Sequence, residues 1–457
     1  MPYLKDLFPR NYNWSVYLIT IIVIKFLFID LSFTSYFVTI FSIYQFTLLF
    51  NNISKTIPTR HLLSCFMCVQ FFIGPMFAYN GLDQYQYFMY KMRLPELEYF
   101  TYTIPAILLF ILGLHLRGSG NKGEVVDLDR ISKFISKNKL LPYKLIGIGF
   151  LSSVISIYFS TSFSFVFYLL GGFKFIGLIM IILSDEKIKI FPIIIVIGSI
   201  ISTSFGNGMF HDLLIWIIYI ASVLAIKYKF GIKEKIIGII LFILMATVIQ
   251  LLKANFRNLK NESNEEVGLQ SFLKLYEKEN NEKGIFNFTN LASSNVRINQ
   301  GFIITNIMTN VPEKVPFAHG AELYQLLEAA VLPRIIAQNK LNAGDKFLFT
   351  KYSGIPLSIG TSMGLSSVGD AYINFGIFGG CIFMFLLGLF YSEVLNSFKK
   401  HSKYYPTLIL FVPLVFYYPI RPDCELQTIL GHLIKSCFLI FVMIQIWGNR
   451  FHFIDKN

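Results

Sequence analysis

The chain has 457 residues, 54% of them hydrophobic and 15% charged, and its mean hydropathy is +0.57; a soluble domain carries roughly 25% charged residues. That balance excludes a large water-facing globule and makes lipid the expected solvent. The formal net charge of +13 does not indicate nucleic acid, because the Lys and Arg residues sit mainly in short connections between apolar runs, where they report topology.

Apolar runs of about 20 residues recur along most of the length, each enough to cross ~30 Å of hydrocarbon as a helix, so an all-α polytopic membrane fold is expected. A β-barrel would show short alternating segments instead. The N-terminal stretch Met1 to Arg10 is basic and precedes an apolar run without a small-residue cleavage site, so it reads as a retained first helix. In chain order the expected spans lie near 14–30, 31–50, 61–79, 100–117, 143–160, 162–183, 189–205, 208–227, 235–253, 371–396, 405–420 and 427–448, about twelve. Only Asp30 and the turn-prone residues after it separate the first two.

Lys55 and Arg60, Arg117 to Lys144, Lys187 and Lys189, Lys227 to Lys235, and Lys399, Lys400 and Lys403 fall in alternate connections. The excess of basic residues on cytoplasmic loops places all of these inside, together with both termini. The segments near 80–99, 205–209, 254–370 and 421–426 then face outward, and one is far larger than the others. The chain divides accordingly into an N-terminal membrane domain 1–253, a large outer loop subdomain 254–370 and C-terminal membrane helices 371–457.

Within the loop, Asn258 to Gly284 is rich in Asn, Glu and Lys and reads as a solvated connection. Ala292 to Asp370 mixes apolar and polar residues as a folded cap does. Leu323, Leu326, Leu327 and Ala330 have helical spacing and stop before Pro333, which predicts an amphipathic helix packed on the membrane domain. Ser293 or Ser294 is expected to cap a second helix that carries Arg297, Gln300 and Ile304 on one face.

No Walker loop, dinucleotide glycine signature, nucleophile elbow or H-E-x-x-H occurs. Asp127-Leu128-Asp129 has the spacing of a nucleotide-sugar D-x-D, yet it lies in a Lys-rich connection with no preceding strand pattern and reads as a solvated charge cluster. The five cysteines, Cys65, Cys68, Cys381, Cys424 and Cys437, lie mostly in apolar runs; neither a disulfide nor a metal site is expected of them, although Cys65 and Cys68 form a C-x-x-C after His61.

The chemistry-bearing residues are those that share the outer face: Arg297 and Gln300, His319 and Glu322, Arg334, Asp370 and Tyr372, then Arg421, Asp423 and Glu425. A diphosphate at a membrane surface needs fixed cationic donors, and guanidinium groups bind phosphate oxygens bidentately and stay charged; a pairing with loop carboxylates or lipid headgroups is the plainer reading of each arginine. Lys174, after Gly171-Gly172-Phe173, falls near mid-span, where an ionisable residue is costly and marks function by default. His432 and Lys435 sit in the outer part of the last span, with snorkelling as their plainer reading. His319 is an imidazole suited to act as a general base near neutral pH, or a loop histidine with a structural hydrogen bond. Phe317, Tyr324 and Tyr352 are suited to stack on sugar rings or to pack in a core.

Val296-Arg297-Ile298-Asn299-Gln300, Leu332-Pro333-Arg334 and above all Gly369-Asp370-Ala371-Tyr372-Ile373-Asn374-Phe375-Gly376, with Gly379, resemble the Wzy-type oligosaccharide repeat-unit polymerases. The resemblance extends to the architecture, a large outer loop before the last few helices, as in other ligase-like, GT-C-like membrane glycosyltransferases. It implies a metal-independent, cofactor-free enzyme of the bacterial inner membrane with a periplasmic loop. That enzyme takes an undecaprenyl-pyrophosphate-linked oligosaccharide as donor and another as acceptor, for O-antigen, capsule or exopolysaccharide synthesis, with a chain-length regulator among its partners. Under this reading Arg297, Arg334 and Arg421 hold pyrophosphate, Arg297 acting at the reacting centre. His319 or Asp370 is the base or orients the acceptor, and Gln300, Glu322, Tyr372 and Lys174 contact substrate. The acidic residue stands two positions earlier relative to the Tyr-x-Asn-Phe-Gly run than is usual in such proteins. Competing classes are an O-antigen ligase, which shares the donor, a flippase or transporter, and a membrane-bound acyltransferase, for which His211-Asp212 is the only comparable feature.

Overall fold

The computed structural model describes residues 7–9, 14–27, 30–116, 126–158, 161–184, 190–262, 269–283, 288–332, 344, 346–357 and 363–451. They form twenty α-helices and no strand. In order these are α1 (Trp14–Leu27), α2 (Phe33–Asn52), α3 (Thr59–Cys68), α4 (Gly74–Tyr79), α5 (Glu96–Leu116), α6 (Leu128–Lys137), α7 (Leu141–Ile155), α8 (Thr161–Gly171), α9 (Phe173–Leu183) and α10 (Ile190–Asn207). They continue with α11 (His211–Lys227), α12 (Ile232–Glu262), α13 (Leu269–Lys283), α14 (Phe288–Ile298), α15 (Gly301–Asn310), α16 (Ala321–Val331), α17 (Lys346–Ser353), α18 (Ser366–His401), α19 (Val412–Val415) and α20 (Leu426–Phe451).

Eight segments are long and apolar enough to cross a membrane: Phe33–Asn52, Thr59–Tyr79, Glu96–Leu116, Phe165–Leu183, Ile190–Asn207, Ile232–Lys253, Ser366–His401 and Leu426–Gly448. The chain is thus a multi-pass, all-α membrane protein. Trp14–Phe26, Leu141–Ile155 and Pro406–Val415 are apolar but shorter. The span expected over 405–420 is not a continuous helix: a 3-10 segment Pro406–Phe411 runs into the single turn of α19. Ten residues at about 1.5–2.0 Å each reach only ~15–20 Å. Pro406, Pro413, Pro419 and Pro422 explain the irregularity, since each removes a backbone donor. These short helices are buried in the bundle, where irregular backbone is tolerated at membrane depth.

The division at Asp30 is real. Ser32 caps α2 by accepting the Ser35 N–H at 3.0 Å, and Ser35 in turn donates to Glu96 Oε1 of α5 at 2.8 Å. Carboxylate and hydroxyls thereby join the N-terminal ends of two neighbouring helices. The most extensive contact in the bundle is α5 on α18, made at closest range where Gly113 meets the Phe385 carbonyl and Gly388 meets the Phe110 carbonyl. Small residues let helix backbones approach this closely when no hydrophobic drive between spans is available.

Helices α13 to α17 gather at one end of the bundle, here termed the cap face. Part of Asn258 to Gly284, expected as a solvated connection, is instead helical, because α12 runs on to Glu262 and α13 occupies Leu269–Lys283. Ser293 and Ser294 lie inside α14 and cap nothing; the chain breaks at Asn299, so Arg297 ends α14 while Gln300 precedes α15. The expected amphipathic helix is α16, with Leu326 and Ala330 buried, and it packs on α20 where Ala330 lies against Gly431.

A π-helical turn, Val69–Ile73, interrupts α3 and α4. It frees carbonyls that a membrane-buried helix must satisfy. Gln70 O accepts the Gln300 N–H at 3.0 Å, Phe71 O accepts the Tyr99 hydroxyl at 2.9 Å, and Gly74 O accepts the Asn295 amide at 3.0 Å. Two of the three donors come from the cap, so this turn pins cap to bundle.

Candidate functional site: a lysine-bearing cavity among the spans

The helix expected over 162–183 breaks at Gly171-Gly172 into α8 and α9, and Lys174 is the second residue of α9. Its side chain is 9% exposed, and its ammonium lies 5.1 Å from the Phe150 ring and 5.4 Å from the Phe175 ring. Among the described residues no carboxylate or carbonyl pairs with it. Such a charge is costly to bury alone, by several kcal/mol, and two aromatic faces return only part of that.

Lys174 lines a cavity of about 350 Å³, within the usual range for small-molecule sites. Ser153 of α7, Ser156 just after it, Tyr168 of α8 and Thr203 of α10 bring hydroxyls to its wall. Trp216 of α11 stacks on Phe175 at 4.0 Å and closes one side. Asp212, in the first turn of α11, supplies the carboxylate; its Oδ1 lies 2.7 Å from His211 Nε2. His432 of α20 donates from Nε2 to Leu414 O at 2.8 Å, which leaves Nδ1 an acceptor, buried and with no partner among the described residues. Arg421 lies close by, over the Tyr418 ring at 5.3 Å and 3.3 Å from Asp423 Oδ2; Tyr418 in turn sits 4.9 Å from the His432 ring. Snorkelling therefore does not describe His432, which is 3% exposed.

Three further sequence candidates, Asp370, Tyr372 and Glu322, form a second group where α16, α17, α18 and α20 meet. Asp370 is buried, and its Oδ2 accepts the N–H of Leu426, the first residue of α20, at 2.8 Å: a carboxylate at a helix N-terminus, favoured by the dipole. Asn374 donates to Asp370 O and accepts the Leu323 N–H of α16. Tyr372 donates to Val311 O at 3.4 Å and packs on Tyr102 and Phe317. Glu322 is buried and accepts from Lys351 Nζ at 2.9 Å and from the Tyr352 hydroxyl at 2.8 Å, and this bond holds the Lys351 ammonium above the ordinary lysine range. Gly376 has φ +65° and breaks α18 against the Phe317 ring, a conformation that favours glycine. The run from Gly369 to Gly376 is thus the joint that ties cap to spans.

His319 is exposed with φ +48°, 6.3 Å from the Phe317 ring, while Glu322 is engaged by Lys351 and Tyr352. Arg297 is exposed at the end of α14, on the cap. Gln300 is engaged through its backbone with the π-helical turn. Arg334 lies outside the described residues. Tyr352 is buried, while Tyr324 is exposed. Asp127, the first residue of the D-x-D, caps α6 by accepting the Arg130 N–H at 3.1 Å. The structure thus joins Asp370, Tyr372 and Glu322 through packing bonds and places Lys174 in a cavity close to Arg421. It brings to that cavity Asp212 and His432, which the sequence offered in other roles, and adds Tyr168 and Tyr417, whose only signal in the sequence was polarity within or beside apolar runs.

Fold and cavity together define a multi-pass helical membrane protein with a polar, cation-bearing chamber among its spans. Residues 121–416, more than half of the chain, match the model of a family described as a domain of unknown function, DUF8712, and the chain belongs to that family. No curated protein and no solved structure matches it.

Proposed function

We propose that the protein is a Wzy-type glycosyltransferase that polymerises oligosaccharide repeat units carried on undecaprenyl pyrophosphate, at the periplasmic face of a bacterial inner membrane. The observation that carries this reading is Lys174, a nine-tenths-buried ammonium without a counterion among the described residues, directed into a hydroxyl-lined cavity of about 350 Å³ inside the membrane domain. A buried cation in that setting calls for an anionic ligand delivered from the bilayer, and a prenyl diphosphate is such a ligand. Arg421 adds a second cation close by, on the segment leading to α20, and the Gly369 to Gly376 run that resembles the polymerases holds the cap in place. In the transfer, the cations stabilise negative charge on the departing diphosphate, the kind of preorganised electrostatic term that dominates many enzymes.

A transporter of a lipid-linked or anionic solute is the second reading. The break between α8 and α9 with Lys174 beside it favours it, because interrupted helices with an ionisable residue at mid-membrane mark many transport sites.

Deleting the gene and restoring it as wild type or as Lys174→Gln or Arg421→Gln, at matched expression, separates these readings by surface-glycan length on gels. Polymerase predicts single-repeat glycans in the deletion strain, corrected by wild type and not by either variant. Long polymer left on its lipid carrier would move the protein to ligase. Loss of all surface glycan, with the lipid-linked repeat held on the cytoplasmic leaflet, would establish transport. Unchanged glycans would remove the glycan reading altogether.

A further inference from the structure

Transfer to an acceptor hydroxyl releases a proton, and neither base suggested by the sequence is placed to receive it. Asp370 is buried and holds the N-terminus of α20, and His319 is exposed on the cap beside Phe317. Neither lines the cavity that holds Lys174. One carboxylate does, that of Asp212.

We propose that Asp212 is the proton acceptor for the attacking hydroxyl and that His211 is the route by which the proton leaves. The assignment rests on the glycosyl-transfer reading. Asp212 lines the same chamber as the ammonium that would meet the leaving group, so nucleophile activation and charge stabilisation fall within one cavity. His211 Nε2 stands 2.7 Å from Asp212 Oδ1, and the two side chains are 32% and 41% exposed, so the dyad reaches from the chamber to the protein surface. Acidic base and imidazole relay are adjacent in sequence at the first turn of α11, where the helix dipole favours a carboxylate.

The step balances without a co-reactant. The acceptor oxygen bonds to the anomeric carbon of the donor as the bond from that carbon to the diphosphate oxygen breaks, and the electron pair leaves on the diphosphate. The hydroxyl proton passes to Asp212, then to His211 and water. The titratable and charged groups around Asp212 are His211 on its own helix, Tyr168 on α8, Lys174 on α9 and His432 on α20 across the chamber, and Tyr417, Tyr418, Arg421 and Cys424 on the segment before α20.

The test uses full-length protein in lipid nanodiscs and, as donor and acceptor, the lipid-linked oligosaccharide extracted from the deletion strain, with products resolved by length. Asp212→Asn is expected to lower kcat by about 100-fold or more, the usual scale for a general base, with KM within about twofold of wild type. Asp212→Glu is expected to recover part of that loss. His211→Gln is expected to shift the acidic limb of the kcat pH profile at an unchanged melting temperature. Should Asp212→Asn not fold, the Glu and His211 variants carry the test. Wild-type kcat in Asp212→Asn, an effect on KM alone, or a wild-type pH profile in His211→Gln overturns the assignment while leaving polymerisation intact. Wild type that extends no glycan overturns the glycosyl-transfer reading, and this assignment with it.

Discussion

Lys174 carries a charge that the folded chain does not neutralise among its described residues. An unpaired buried ion costs several kcal/mol, and replacing it with an apolar side chain of similar length is often stabilising by about 1–4 kcal/mol. Lys174→Met is therefore expected to melt higher than wild type in detergent and to lose function, the trade expected where a site keeps strain for its ligand. A lower melting temperature would mean that the ammonium has a structural partner. Asp370 behaves oppositely. Its carboxylate accepts the first N–H of α20 at 2.8 Å from a buried position, so Asp370→Ala is expected to destabilise the protein by about 1–3 kcal/mol. A melting temperature equal to wild type would return Asp370 to the catalytic candidates. The sequence made Lys174 legible as a costly mid-span charge and Asp370 as a polar residue of the outer face, but not which one had a partner. Lys174 and Asp212 reach one cavity from different helices, and Leu426 reaches Asp370 across the fold, so no spacing rule exposes either relation.

At the scale of elements, most spans were legible because hydrocarbon thickness sets their length and apolar runs record it. The exception over 405–420 has a local cause in its prolines, which turn a run of sufficient hydropathy into the buried 3-10 and α19 segments. The π-helical turn was not legible, since Val69-Gln70-Phe71-Phe72-Ile73 is ordinary helical sequence and the turn shows itself only through what its carbonyls accept. Of the two bonds that come from the cap, Asn295 to Gly74 O is the one a side chain makes. Asn295→Ala is expected to cost about 1 kcal/mol, to raise hydrogen exchange in α14 and to leave α20 unchanged. Equal protection of α14 in variant and wild type would show that the cap is held by packing alone.

At the scale of the molecule, the cap and the basic connections should lie on opposite sides of the membrane. Beyond its break at Gly376, α18 runs unbroken over residues 377–401, about 38 Å at 1.5 Å per residue, enough to carry its far end across the membrane from the cap. Glu313 is exposed on the cap and Lys403 is exposed just beyond the far end of α18. In intact cells, Glu313→Cys is expected to react with a membrane-impermeant maleimide and Lys403→Cys only after lysis; the reverse pattern would invert the topology.

The central claim is that Lys174 makes this chamber a diphosphate site, and the most direct test is the melting temperature of purified protein with farnesyl diphosphate or farnesol. Ligand at about 100 times its Kd stabilises a single-site protein by about 2.7 kcal/mol. Wild type is expected to rise in melting temperature with the diphosphate and not with the alcohol, while Lys174→Met responds to neither. An equal rise with diphosphate in wild type and Lys174→Met would contradict the claim.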